Sequence, residues 1–250
     1  MKHRRPRRNR DPQLEGRDPA RGGQLEADIA ALEAAMSPYS IELSSQARTR
    51  LLFFARELIS WNNRLNLLSR PDVYNVIRKH VAASLGVLLV AQPAPRENWI
   101  DVGTGGGFPG LVLKLVRPEL EITLLDSSRK RCLFLESVLR QTGVAKTPVL
   151  ALRVETLVER GEGLGAFTVL TARAVASLRD TVRLFGPLVG PSGRIVTFKG
   201  PRWGEELADA ERAGDLAAGG FQFESITRVP WTTGHILSLR RAPASASIPG

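Results

Sequence analysis

NWIDVGTGGGFPG, residues Asn98 to Gly110, is a short apolar run that ends on Asp101 and is followed by five glycines within eight positions: Gly103, Gly105, Gly106, Gly107 and Gly110. The pattern reads as a strand entering a tight turn. The apolar run from Leu111 to Val116 can then begin a helix, so the glycines fall where a strand's carboxyl end meets a helix's amino end. Without a Cβ in the way, backbone can approach a ligand closely there. Gly105-x-Gly107-x-x-Gly110 also satisfies the dinucleotide fingerprint, a match that is weak on its own.

Downstream of this turn, short apolar strands alternate with helices, which calls for an α/β fold with a parallel sheet covered on both faces. EITLLD at 121–126 is the second strand, and Ser127 or Ser128 caps a helix reaching Gly143. Further strands are expected at 149–152, 167–171 and 194–198, and two closing strands at 221–229 and 234–240 are divided by Pro230-Trp231-Thr232-Thr233. Upstream, Leu25, Ile29, Leu32 and Met36 have helical spacing, and residues 41–60 carry a wider apolar stripe. WNNRLNLLSR at 61–70 reads as a loop, and Asp72 as the cap of a third helix running to about Val90. The expected organisation is a disordered basic arm at 1–23, a small helical subdomain at 24–95, the α/β domain at 96–241 and a flexible tail at 242–250.

A chain of 250 residues with 43% hydrophobic content can bury a sizeable core. Its longest nearly uncharged stretch after His80, VAASLGVLLVAQ, is too short to cross a bilayer. One cysteine, Cys132, and three scattered histidines (His3, His80, His235) offer neither a disulfide nor a metal-ligand spacing. A cytoplasmic, metal-free monomer with no membrane association is expected. Net charge is +10, and residues 1–23 supply about half of it, with eight basic residues against three acidic. The arm lacks the apolar segment of a secretion signal. It is either attracted to nucleic-acid phosphates or a solvated tail, and composition does not separate the two.

Asp126 ends the second strand 21 residues after Gly105, where a carboxylate can accept hydrogen bonds from two ribose hydroxyls. A pyrophosphate would want the bare helix amino end, whereas a sulfonium nucleoside favours a nearby carboxylate. Asp101 supplies that charge, or else holds the turn together through backbone bonds.

The chain from about Trp61 to Gly200 resembles the bacterial 16S ribosomal RNA guanine-N7 methyltransferase family through WNNRLNLLSR, RKH at 78–80, DVGTGGGFPG, RPELEITLLDSSRKRCLFL, RVET at 153–156, ARAVASL at 172–178 and FKG at 198–200, in family order. The resemblance implies a class I methyltransferase fold: Rossmann-like, with a mostly parallel seven-stranded sheet whose final strand is antiparallel. It implies S-adenosylmethionine as donor and a guanine in the decoding-region loop of the small ribosomal subunit as target. Carried over residue by residue, cofactor contacts fall on Gly103 and Phe108 in the turn, on Asp126 at the ribose, on Val154 and Glu155 beside the adenine, and on Arg173; the reading of the turn itself adds Asp101 and Gly105. Arg173, at the end of the fourth strand, also suits positioning of the incoming nucleotide, and Lys199, at the end of the fifth, an RNA phosphate. The WNNRLN segment would help shape the RNA entrance, or Trp61 would fill core between helices. Where the family often has an aspartate three residues after the histidine matching His80, this chain has Ala83. Guanine N7 carries an in-plane lone pair and needs no general base, in keeping with a sequence without a Ser/His/Asp or Cys/His set. Two alternatives stand at this point: a nicotinamide-dependent oxidoreductase and a non-catalytic RNA-binding or ribosome-assembly protein.

Overall fold

The computed structural model describes residues 19–144, 146–173 and 177–242. The chain opens with two long helices, α1 (Pro19–Met36) and α2 (Ser45–Leu65). Pro19 to Gly23 thus belong to a helix and not to the expected arm; the remainder of that arm, and the tail from residue 243, lie outside the described residues. The Ser44 hydroxyl caps α2 by accepting from Ala47 N at 3.1 Å. At its other end Asn66 turns left-handed at φ 48°, while Asn62 Oδ1 accepts from Leu68 N at 2.7 Å. The asparagines that made WNNRL look like a loop therefore finish the helix, because Trp61 and Leu65 extend its apolar stripe.

After α2 the expected third helix is broken into pieces. Ser69, not Asp72, caps the short α3 (Arg70–Val73), and its hydroxyl bonds the Asp72 carboxylate at 2.6 Å. A π-helical turn (Val76–Val81), α4 (Ala82–Leu85) and a 3-10 turn (Gly86–Leu89) follow.

The sheet is built from β1 (Asn98–Val102), β2 (Glu121–Leu125), β3 (Val149–Leu150), β4 (Phe167–Ala172), β5 (Val189–Lys199), β6 (Phe221–Arg228) and β7 (His235–Arg241). Its order is β3-β2-β1-β4-β5-β7-β6, with β7 antiparallel to both neighbours and the first five strands parallel. β3 is shorter than the sequence suggested and β5 starts five residues earlier. Connecting helices are α5 (Gly110–Val116), α6 (Arg129–Gln141), α7 (Val154–Glu159), α8 (Leu178–Phe185), α9 (Trp203–Arg212) and α10 (Asp215–Ala218).

Side chains alternate across β1: Trp99 buries on one face and Ile100 on the other. The Trp99 face shares one continuous core with α1, α2, α5 and α6, including Phe54, Leu58, Phe134 and Leu135. Trp61 joins it, its ring 5.7 Å from that of Phe134, so it serves as packing between helices. The Ile100 face is covered by α7 to α10. Trp231, in the turn between β6 and β7, donates from Nε1 to the Ala82 carbonyl at 2.8 Å and ties the last hairpin to the N-terminal helices. Strand order reverses between β1 and β4, and at such a switch point the carboxyl ends of the strands leave a crevice for ligands.

Candidate active site

The glycine turn is held at that crevice by hydrogen bonds from three directions. Gly103 N and Thr104 N both donate to the Leu125 carbonyl, at 2.8 and 3.1 Å, and Gly107 N donates to Thr104 O at 2.8 Å. Gly103, Gly105 and Gly107 have φ of 71°, 57° and 98°, values that a side chain would strain. Asp101 closes the turn from beneath. Fully buried, it accepts from Gly110 N at 2.8 Å and from the Thr171 hydroxyl at 2.8 Å. Burial raises its pKa to about 6, against the hydrogen bonds and the positive charge of Arg173, which pull the other way. Of the two sequence readings of Asp101, the backbone bond to Gly110 shows the turn-holding one.

Asp126 sits one residue past β2 and is 4% exposed. Its Oδ2 accepts from Gly105 N at 2.9 Å, its Oδ1 from Ser128 N at 2.8 Å, and the Arg131 guanidinium lies 3.5 Å away. Each oxygen keeps a second lone pair. Ser128 is the cap of α6, accepting from Arg131 N.

Two cavities open where strands end at the carboxyl edge of the sheet. One, of about 200 Å³, is lined by Gly103, Leu125, Ser127, Leu152, Arg153, Val154, Glu155 and Phe185 among others. The other, of about 610 Å³, is walled by Arg78, Lys79, Ala83, Arg173, Phe198, Lys199 and the Thr232 to His235 turn. The expected site residues therefore divide. Gly103, Val154 and Glu155 line the smaller cavity and Arg173 and Lys199 the larger, while Asp101, Gly105, Phe108 and Asp126 are not among the lining residues of either. Sequence reading missed Leu152, Ser127 and Phe185 in the first and the whole Thr232 to His235 wall in the second. The RKH triplet was the available signal for Arg78 and Lys79.

Arg173 projects between two aromatic rings, its guanidinium carbon 5.6 Å from the Phe198 centroid and 6.0 Å from that of Phe108. Burial lowers its pKa, and Asp101 and Asp72 oppose that shift. The His80 ring lies 5.1 Å from Phe108. Burial, then the neighbouring Arg173 charge, depresses its pKa to about 4, so it is neutral at neutral pH. Four buried side-chain atoms among the described residues have no hydrogen-bond partner: His80 Nε2, Thr104 Oγ1, Arg173 Nη1 and His235 Nδ1. All four lie on the turn or beside the larger cavity. The Thr104 hydroxyl lies near enough to favour the charged form of Asp101, yet it makes no well-aligned bond.

A family model described as rRNA small subunit methyltransferase G matches residues 47–226. The chain belongs to that family. Ribosomal RNA small subunit methyltransferase G of Syntrophus aciditrophicus is 35% identical over 198 residues, covering 79% of this chain and 79% of its own. The protein of the same name from Halorhodospira halophila is 37% identical over 182 residues, 73% of this chain and 83% of its own. A geranyl diphosphate methyltransferase solved with GPP and sinefungin superposes with a TM-score of 0.52 at 13% identity, over 71% of this chain and 84% of that one, and shares the fold alone. Membership of the rRNA methyltransferase G family sets aside the oxidoreductase reading. Ala83 lines a cavity whose ionic wall residues, Arg78, Lys79, Arg173 and Lys199, are all basic. Among the described residues no cluster of three or more His, Cys, Asp or Glu is arranged to hold a metal, and no helix is long and apolar enough to cross a membrane.

Proposed function

We propose that the chain methylates N7 of one guanine in the decoding-region loop of 16S ribosomal RNA, with S-adenosylmethionine as donor, in the cytoplasm. The observation that carries this reading is the gathering of unpaired buried polar atoms, on His80, Arg173 and His235, around the basic cavity. Natural proteins rarely leave such atoms unpaired away from a site of use.

S-adenosylmethionine supplies an electrophilic methyl group on a sulfonium. Val154, Glu155 and Gly103 wall the cavity that suits its adenosine, and the free lone pairs of Asp126 suit the ribose hydroxyls. Asp101, charged above about pH 6, provides negative potential under the turn while its own oxygens are held by protein donors. On the other side, Arg78, Lys79, Arg173 and Lys199 suit the phosphates and O6 of an unpaired guanine. The N7 lone pair forms the new N–C bond as the S–C bond breaks, and the positive charge passes to the purine. No proton need leave, so the residues here have to orient the base and screen charge. Near-attack alignment of this kind is worth on the order of 7 to 11 kcal/mol in favourable cases.

The test is methyl transfer from labelled S-adenosylmethionine to unmodified small ribosomal subunits, followed by mapping of the modified nucleotide. Label at N7 of a single 16S guanine is the expected result. Cofactor binding with no label in RNA would overturn the reading in favour of a non-catalytic RNA-binding protein.

A further inference from the structure

We propose that Glu206 is a positioning residue for the RNA-facing cavity, acting through Lys199. The proposal rests on the methyltransferase reading given above. One carboxylate oxygen of Glu206, Oε1, accepts two hydrogen bonds, from Lys199 Nζ at 2.7 Å and from Leu178 N at 2.6 Å. Leu178 is the first residue of α8, the helix that follows β4 and Arg173; Lys199 is the last residue of β5; Glu206 itself stands in the first turn and a half of α9. A single atom therefore joins three elements that meet at the carboxyl edge of the sheet.

The charge arrangement gives this junction a role beyond cohesion. The Lys199 side chain is only 7% exposed although it walls the cavity. An ammonium so covered would be costly without a partner, and Glu206 offsets its charge. Of its three N–H donors, one points to Glu206, which leaves the others for a substrate oxygen. Lys199 thus offers oriented donors with its charge partly offset, which suits one specific contact to a phosphate or base oxygen. Leu178 N is one of the amides that a helix start leaves unpaired, and its capture fixes α8 relative to Lys199. Glu206 borders an adjoining cavity, lined with Gly200, Trp203, Glu205 and Asp209, and is not among the residues that line the basic cavity.

The experiment compares the full chain with Glu206→Gln, Glu206→Ala, Lys199→Ala and the Lys199→Ala/Glu206→Gln double variant. Four quantities are measured: melting temperature, S-adenosylmethionine affinity, the salt dependence of binding to a 16S rRNA transcript, and kcat and KM for methylation of small subunits. Glu206→Gln keeps an acceptor for both donors but unmasks the lysine charge. It is expected to bind cofactor as the parent does and to bind transcript more tightly at low salt, with a log–log salt slope steeper by up to about 0.7. Its kcat is expected to fall about tenfold, because the bond that orients Lys199 persists without its charge assistance. Glu206→Ala is expected to lower kcat further. In the Lys199→Ala background, Glu206→Gln is expected to leave the salt slope unchanged. An unchanged slope in the single variant, an equal change in both backgrounds, or a loss of cofactor affinity in step with activity would each overturn the proposal. The slope reports on Glu206 even if the parent chain transfers no methyl group, so failure of the function and failure of this inference read out separately.

Discussion

Thr171 Oγ1 donates to Asp101 Oδ1 at 2.8 Å, joining the carboxyl ends of β4 and β1 across the switch point of the sheet, and both residues are fully buried. They are directly paired in the parallel register. With Gly110 N on the other carboxylate oxygen, this contact sets the spacing between the strand that leads into the glycine turn and the strand that ends at Arg173. The base of the glycine turn and the strand that leads to the basic cavity are thereby fixed to each other.

Asp101 should give stability a pH dependence. Its folded pKa of about 6 lies above its ordinary value of 3.8, so the folded chain holds the proton longer than the unfolded one. The stabilisation is full below about pH 4 and is lost as pH rises through 6. Two units correspond to about 3 kcal/mol. Asn at 101 can still accept from Gly110 N, so urea denaturation of Asp101→Asn should show the parent's advantage shrinking by that order between pH 4 and 7.

His80 acts in the opposite sense. Its folded pKa of about 4 lies below the ordinary 6.5, so its contribution is full above pH 6.5 and is lost as pH falls toward 4. The two windows overlap between pH 4 and 6. His80→Gln should therefore show stability falling with pH across that window and Asp101→Asn should show it rising, each more steeply than the parent, when melting temperature is followed against pH.

Gly110→Ala should damage the turn. A Cβ there would lie 2.6 Å from Asp101 Cβ and 2.6 Å from the Leu124 side chain, both in the packed interior. Overpacking of this kind costs about 1 to 3 kcal/mol. Because the strain falls on the residue that holds the turn, S-adenosylmethionine affinity should fall as well, which calorimetric titration would show.

Arg173→Ala should bind S-adenosylmethionine as the parent does and lose about 100-fold or more in methylation of small subunits, since Arg173 walls the larger cavity and not the smaller, and on the proposed function it positions the base. Equal losses in both assays would place Arg173 in the donor site instead.

Much of this was legible in the sequence where a signal is local. The strand from Asn98, the glycine turn, the carboxylate of Asp126 and the cap of α6 each rest on residues close in the chain, and each is where its pattern put it. Local reading failed where a distant partner decides. Asn62 and Asn66 end a helix because the apolar stripe around them packs on Phe134, some seventy residues away. The larger cavity was illegible for the same reason: Arg78 and Lys79 meet Thr232 to His235 only through the closed sheet and the Trp231 contact. Nothing in the turn's own sequence says that it faces a ligand.

The bond from Trp231 to Ala82 spans 149 residues, and it sets an order of events during synthesis. The helices that carry Arg78 and Lys79 leave the ribosome early, but their facing wall is in the last strand pair. The cavity therefore has one side until nearly the whole chain has emerged. A nascent chain can complete the first strands and the glycine turn while the basic cavity still lacks the wall from Thr232 to His235.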